Sequence, residues 1–216
     1  MRVVVFTAAI GDTDIVRPPK TIDPNAEYLC FTDRPSVVAP YERIGVPSTS
    51  DGMLAARRIK VLADHPRLTN AEVTLWHDAS YALRRNLTWL RRAIRWVDLV
   101  ALAHPRRSRL EDEALAIARY GYLPTELALS HVARYRAAGF DRDGITASGL
   151  LGRRVSSTVS EFNALWWREL QQWGGRDQGS LDYSAWASGL RVGHVPGTIR
   201  DNRMAQWRIY PAAVSA

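Results

Sequence analysis

An acidic side chain just after a short apolar run can sit where a buried strand runs out toward solvent, and residues 73–80, VTLWHDAS, have that pattern around Asp78. A carboxylate in such a place can hold a divalent cation, and the cation can neutralise a departing diphosphate. Residues two apart in an extended segment face the same way, so Asp78 and Ser80 are expected to share a face, with His77 beside them. The plainer alternative is that Asp78 caps the following turn. A second group is Arg176-Asp177-Gln178, placed after Gly174-Gly175 and ahead of an expected helix. Asp177 reads either as an N-cap or, with the Gln178 amide beside it, as a receiver of sugar hydroxyls. The third is His194-Val195-Pro196-Gly197, followed by Arg200. A lone histidine near a turn reads as structural, or as a distant ligand that closes a metal site begun at Asp78. Arg57, Arg58 and Lys60 form a basic helix face that suits solvent or a phosphate.

These residues need elements to position them. Residues 2–7 are a β-branched run that ends in small residues and Gly11, the pattern of a buried first strand entering a turn. Short strands are expected at 28–31 and 41–46, with Asp33 and Pro35 ending the first of these. Residues 53–63, MLAARRIKVLA, have helical spacing. A strand at 73–76 is followed by a helix at 87–96, and a strand at 98–103 ends in His104-Pro105. Helices are expected at 110–120 and 124–138 and a strand at 149–154. Thr158 with Glu161 reads as a capping box opening a helix through Trp173, and a last helix covers 178–188. Strands alternating with helices give an α/β chain with a mostly parallel sheet, whose ligands bind beyond the carboxyl ends of the strands.

A length of 216 residues with 46% hydrophobic content suits one core, and no linker or repeat divides it, so residues 1–216 are expected to form a single domain. The start lacks the apolar region of a signal peptide, and no apolar run approaches the roughly 20 residues of a membrane span. Cys30 is the only cysteine, which excludes an internal disulfide and a cysteine-rich zinc site. The cytoplasm is the expected compartment. Lys plus Arg number 29 against 22 Asp plus Glu, a formal charge of +7, and all the basic residues but Lys20 and Lys60 are arginine. Arginine forks favour phosphate-bearing partners, whereas a solvated basic surface is the plainer reading.

Taken together, VVVFTAAIGDTD, YLCFTD, AARRIKVLADHP, VTLWHDASYAL, ALAHPRRSRLEDEA and FNALWWRELQQWGGRDQGSLDY resemble, in order and spacing, the DUF616 glycosyltransferase-like family over residues 3–189. That family is similar to the family 8 retaining glycosyltransferases of GT-A fold, a Rossmann-like sheet that binds a nucleotide sugar, usually with Mn²⁺. The resemblance implies that Thr7, Ala8 and the Gly11-Asp12 turn lie against the nucleotide and that Arg57 and Lys60 face its diphosphate. It implies that Asp78 takes the first acidic position of an Asp-x-Asp metal motif, where Ser80 replaces the second. His194 would complete a site for Mn²⁺ or Mg²⁺, Arg200 would hold phosphate, and Asp177 and Gln178 would lie by the transferred sugar.

The implied reaction is attack of an acceptor hydroxyl on the anomeric carbon of a nucleotide sugar, with a UDP-sugar the expected donor. The acceptor expected from the basic charge is a nucleic acid, another anionic polymer or a bacterial surface glycan. Trp166, Trp167, Trp173, Trp186 and Trp207 offer stacking surfaces or core, with one of the Trp166-Trp167 pair expected buried and one exposed. A non-catalytic nucleic-acid-binding module is the main rival reading. A metal-dependent hydrolase lacks the His and carboxylate clusters it would need.

Overall fold

The computed structural model describes residues 1–11 and 15–207, apart from the side chain of Trp207. Asp12, expected at the nucleotide turn, lies outside the described residues. The strands are β1 (Val3–Ala9), β2 (Ala26–Thr32), β3 (Glu42–Gly45), β4 (Val73–His77), β5 (Tyr81–Leu83), β6 (Leu99–Ala103), β7 (Thr146–Arg154), β8 (Val192–Thr198) and β9 (Ala205–Trp207). The helices are α1 (Gly52–Leu62), α2 (Pro66–Thr69), α3 (Thr88–Ala93), α4 (Leu110–Arg119), α5 (Thr125–Ala137), α6 (Ser157–Gln172) and α7 (Gln178–Ala187).

Seven strands form one mixed, mostly parallel sheet in the order β3-β2-β1-β4-β7-β6-β8, with β7 antiparallel to both its neighbours. β5 and β9 pair separately. The chain winds outward from β1 through β2 to β3, then crosses back to add β4 on the other side of β1. The strand order reverses between β1 and β4, and in open α/β sheets ligands bind at that point. The central strands are continuous apolar runs because both faces are covered. Val4, Phe6, Leu29, Trp76 and Leu151 pack on one face against Val61 of α1, Phe162, Trp166 and Leu170 of α6 and Leu181 of α7. Val5, Cys30, Leu75, Val100 and Leu150 pack on the other against Leu87, Leu90 and Ile94 around α3 and Tyr81 and Leu83 of β5. A third cluster joins α4 and α5 through Leu110, Ile117, Val132, Tyr135 and Trp173.

Local chemistry sets the element ends. Asp51 accepts the backbone N–H of Leu54 at 2.8 Å and starts α1, and Gly52 lets that helix approach β1 so closely that a Cβ there would lie 2.6 Å from the Ile10 carbonyl oxygen. The cap of α6 is Ser156, whose hydroxyl accepts from Val159, and not Thr158 as the spacing suggested. β8, β5 and β9 were not expected. Val192–Thr198 is half exposed and contains Pro196, so it carries none of the apolar alternation that marks a strand. Among the described residues no helix is long and apolar enough to cross a membrane.

Candidate functional site

The reversal between β1 and β4 opens onto a cleft of about 740 Å³ lined by Ala8 and Ile10 at the end of β1 and by Trp76, Asp78 and Ser80 at the end of β4. α1 supplies Arg57 and Lys60, and the segment that opens α7 supplies Arg176, Asp177 and Gln178. The loop after β6 adds His104, Arg106 and Arg107, and the segment after β8 adds Arg200. The lining therefore carries six cationic side chains, Arg57, Lys60, Arg106, Arg107, Arg176 and Arg200, against the carboxylates of Asp78 and Asp177.

Lys60 is the hub. It is 3% exposed, and its Nζ donates to Asp177 Oδ2 at 2.5 Å and to Asp78 Oδ1 at 3.3 Å. The indole of Trp76 donates to the same Asp78 oxygen at 2.8 Å, and its ring centroid lies 5.7 Å from the ammonium. Neither carboxylate plays its plainer role. Asp177 stands at the N-cap position of α7 but makes no side-chain cap bond, and takes Lys60 and the Ser148 hydroxyl instead, the latter at 2.9 Å. Asp78 turns the chain through its backbone, its carbonyl accepting from Tyr81, and leaves its carboxylate facing the cleft. Burial alone would raise the Asp177 pKa; the charges of Lys60, Arg176 and Arg57 outweigh it and hold the group well below its ordinary value. Gln178 is buried, accepts weakly from Ser148 at 3.4 Å, and has its amide nitrogen without a partner.

The backbone explains how these distant residues meet. Between β6 and β7 the register jumps from Ala101–Leu151 to Leu102–Ala147, so residues 148–150 bulge from the ladder and carry Ser148 and Gly149 into the cleft. The Gly149 carbonyl accepts from the Asp78 backbone N–H at 2.9 Å, and a Cβ on Gly149 would stand 3.0 Å from Asp78 Oδ2. Gly174 and Gly175 both have positive φ, at 59° and 79°, and Gly174 lets the Tyr122 carbonyl approach where a Cβ would be 2.5 Å away. That double turn presents Arg176 and Asp177 inward. Arg57 donates to the Gly175 carbonyl at 2.9 Å, and the guanidiniums of Arg57 and Arg176 lie 5.6 and 5.5 Å from the Tyr122 ring centroid. Trp166, fully buried, donates its indole N–H to the Asp177 carbonyl at 2.9 Å, whereas Trp167 is only partly buried.

The cationic side continues past β6. His104 accepts the backbone N–H of Arg107 at 2.9 Å, and burial, with Arg107, Arg176, Arg200 and Arg106 around it, pushes its pKa down to about 4. Arg107 pairs with Glu113, which is 1% exposed and whose pKa burial raises.

Of the residues expected from sequence, the cleft gathers Ala8, Arg57, Lys60, Asp78, Ser80, Asp177, Gln178 and Arg200. Thr7 is fully buried behind it, with a hydroxyl that has no partner and does not line the cavity. His194 is a correction: it sits on β8, is exposed, and bonds Thr146 Oγ1 at 3.0 Å. β8 is three strand spacings from β4, about 14 Å at ~4.8 Å each, and His194 is not among the residues that line the cleft with Asp78.

The donor set does not fit a divalent cation. A site for one needs several hard oxygen ligands with spare capacity. Here Asp78 Oδ1 and Asp177 Oδ2 already share one ammonium, Ser80 is neutral, and among the described residues no group of three or more His, Cys, Asp or Glu converges. Sequence reasoning also missed Trp76, Ser148, Tyr122 and the His104 loop as site residues. The loop had a usable signal, because His104-Pro105-Arg106-Arg107 follows an apolar strand just as His77-Asp78 does. No protein-family model matches the chain, and no curated protein is significantly similar to it.

Proposed function

We propose that the chain is a glycosyltransferase of GT-A type that moves a sugar from a nucleotide sugar, a UDP-sugar in the first instance, to an acceptor hydroxyl. The observation that carries this reading is the meeting, where the strand order reverses, of six cationic side chains with the Lys60-bridged carboxylates Asp78 and Asp177. A cavity of about 740 Å³ is of the size that takes a nucleotide-sized ligand, within the roughly 300–1,000 Å³ common for such pockets. Ala8 and Ile10 at the end of β1 offer an apolar wall to a nucleoside, and Arg57, Lys60, Arg176 and Arg200 offer charge to a diphosphate.

In the reaction the acceptor oxygen bonds to the anomeric carbon as the bond from that carbon to the diphosphate oxygen breaks; the diphosphate keeps the electron pair and takes up the proton of the acceptor hydroxyl. The cationic side chains stabilise the charge that develops on that oxygen, at a site whose groups are held in place before the reaction begins. Asp177 and Gln178 hold the sugar. Lys60 and Ser148 both take Asp177 Oδ2, which leaves Oδ1 to accept a sugar hydroxyl. The retaining outcome rests on the resemblance to family 8 enzymes.

Isothermal titration with UDP-, GDP- and CDP-sugars, followed by donor hydrolysis on those that bind, is the direct test. One nucleotide sugar should bind and turn over, and Asp177→Asn should lower turnover more than binding. A chain that binds none of them but binds DNA or RNA, with Asp78→Ala leaving that binding intact, is a nucleic-acid-binding module instead.

A further inference from the structure

We infer that Lys60 takes the place of a divalent cation at this site, so that the chain binds its diphosphate ligand without a metal. The resemblance to family 8 enzymes calls for Mn²⁺ between the end of β4 and the ligand. A side chain already occupies the Oδ1 side of Asp78: the Lys60 ammonium bonds both carboxylates of the cleft, one from the end of β4 and one from the start of α7. Its stem is buried, and Trp76 donates its indole N–H to Asp78 while its ring centroid lies 5.7 Å from the ammonium. Three further features point the same way. The third ligand is missing, because His194 is on the far strand and bonded to Thr146. Glu113, a buried carboxylate whose partner Arg107 lines the cleft, is closed by that pair. The remaining cations, Arg57, Arg106, Arg107, Arg176 and Arg200, repel a divalent ion and attract a diphosphate. Lysine is also a compact, hydrated point charge, the arginine-rich cleft's nearest match to an ion.

The consequence is chemical as well as structural. A fixed ammonium, its position set by two carboxylates, has one N–H left to donate to a leaving phosphate oxygen. No ion has to be captured from solution. This inference uses the transferase reading only to name the ligand.

Two titrations on the full chain decide it. In the first, Mn²⁺ alone is titrated and followed by its electron paramagnetic resonance signal, and the protein should leave that signal unchanged. In the second, UDP is titrated in EDTA and in Mn²⁺, and the two affinities should agree within about threefold, under 1 kcal/mol. Saturable Mn²⁺ binding that Asp78→Asn removes, or UDP affinity that falls about tenfold or more in EDTA, overturns the inference. UDP binding in neither buffer counts against the transferase reading, and the Mn²⁺ titration then decides the role of Lys60 alone. Lys60→Met keeps most of the stem and removes the ammonium, so UDP affinity should fall about tenfold or more in EDTA and in Mn²⁺ alike. A folded Lys60→Met protein whose UDP affinity is unchanged also overturns the inference.

Discussion

Lys60→Met should destabilise the fold through Asp177 rather than through lost packing. Both partners of the 2.5 Å pair are buried, with side chains 4% and 6% exposed, so solvent does not screen it. Removing one member of such a pair costs about 3–5 kcal/mol, because the other is left as an unmatched buried charge. Ser148 still donates to Asp177, and Arg176 and Arg57 still act on it from nearby, so the loss belongs at the lower end, about 3 kcal/mol. Against a typical total of about 5–15 kcal/mol that is a large fraction. At a slope of about 2–3 kcal/mol per molar it moves a urea midpoint down by roughly 1–1.5 M. The assay is a double-mutant cycle with Asp177→Asn, by urea denaturation at pH 7. If the pair is what matters, the double variant is more stable than the sum of the single losses predicts, by about 2 kcal/mol. The same cycle at acid pH has a defined sign. The folded-state pKa of Asp177 lies below its ordinary 3.8, so its contribution is whole above that value, begins to fall as pH drops below it, and is gone only once pH has passed the lower folded-state value. The coupling should therefore shrink at pH 3. Additivity within about 0.5 kcal/mol at pH 7 refutes the reasoning.

Gly149→Ala places a Cβ 3.0 Å from both Asp78 Oδ2 and Ile199 Cδ1 and 3.1 Å from the Tyr81 ring, so the carboxylate must shift by a few tenths of an ångström. Turnover should fall about tenfold or more with a stability loss near 1 kcal/mol, and unchanged turnover of a folded variant argues against Asp78 as a site residue. His77 is fully buried, accepts from the Tyr41 hydroxyl at 2.8 Å, and is pushed by burial from 6.5 to about 4. The folded state thus binds fewer protons than the unfolded one between those values. Stability is whole above pH 6.5 and should fall by up to about 3 kcal/mol as pH drops to 4, whereas His77→Phe should show a flatter acid limb in urea denaturation. An identical slope in both proteins rules His77 out as the cause. Binding of an anionic polymer acceptor should weaken steeply between about 50 and 200 mM salt. A neutral glycan acceptor would show little change in the same titration.

Much of the fold was legible because its signals are local. The apolar runs of β1, β2, β4 and β6 and the helical spacing of α1 can be read from a few neighbouring residues, and the observed ends fall within a few positions of those expected. The strand-end rule found Asp78, and applied evenly it would also have found His104-Pro105-Arg106-Arg107. What stayed hidden depends on contacts across long stretches of chain. Lys60 and Asp177 are 117 residues apart, and Ser148 and Gly149 enter the cleft only because residues 148–150 leave the ladder between β6 and β7. A glycine inside a strand often marks a bulge, but the apolar pattern begins the strand at Gly149 and so hides that the glycine lies within it. His194 shows the opposite error. Its spacing to Gly197 and Arg200 looked like one ligand group, yet the strand order sends its two ends to different places. β8 pairs at the sheet edge and holds His194 beside Thr146, and its own register then breaks between Ala101–His194 and Ala103–Thr198. Past that break Thr198 still pairs with the end of β6, and Ile199 and Arg200 beyond it line the cleft that His194 does not reach. The fold rather than motif spacing thus decides which polar groups meet, and here it brings Lys60 of α1 to Asp78 and Arg200 into the same cleft, where spacing alone promised a histidine.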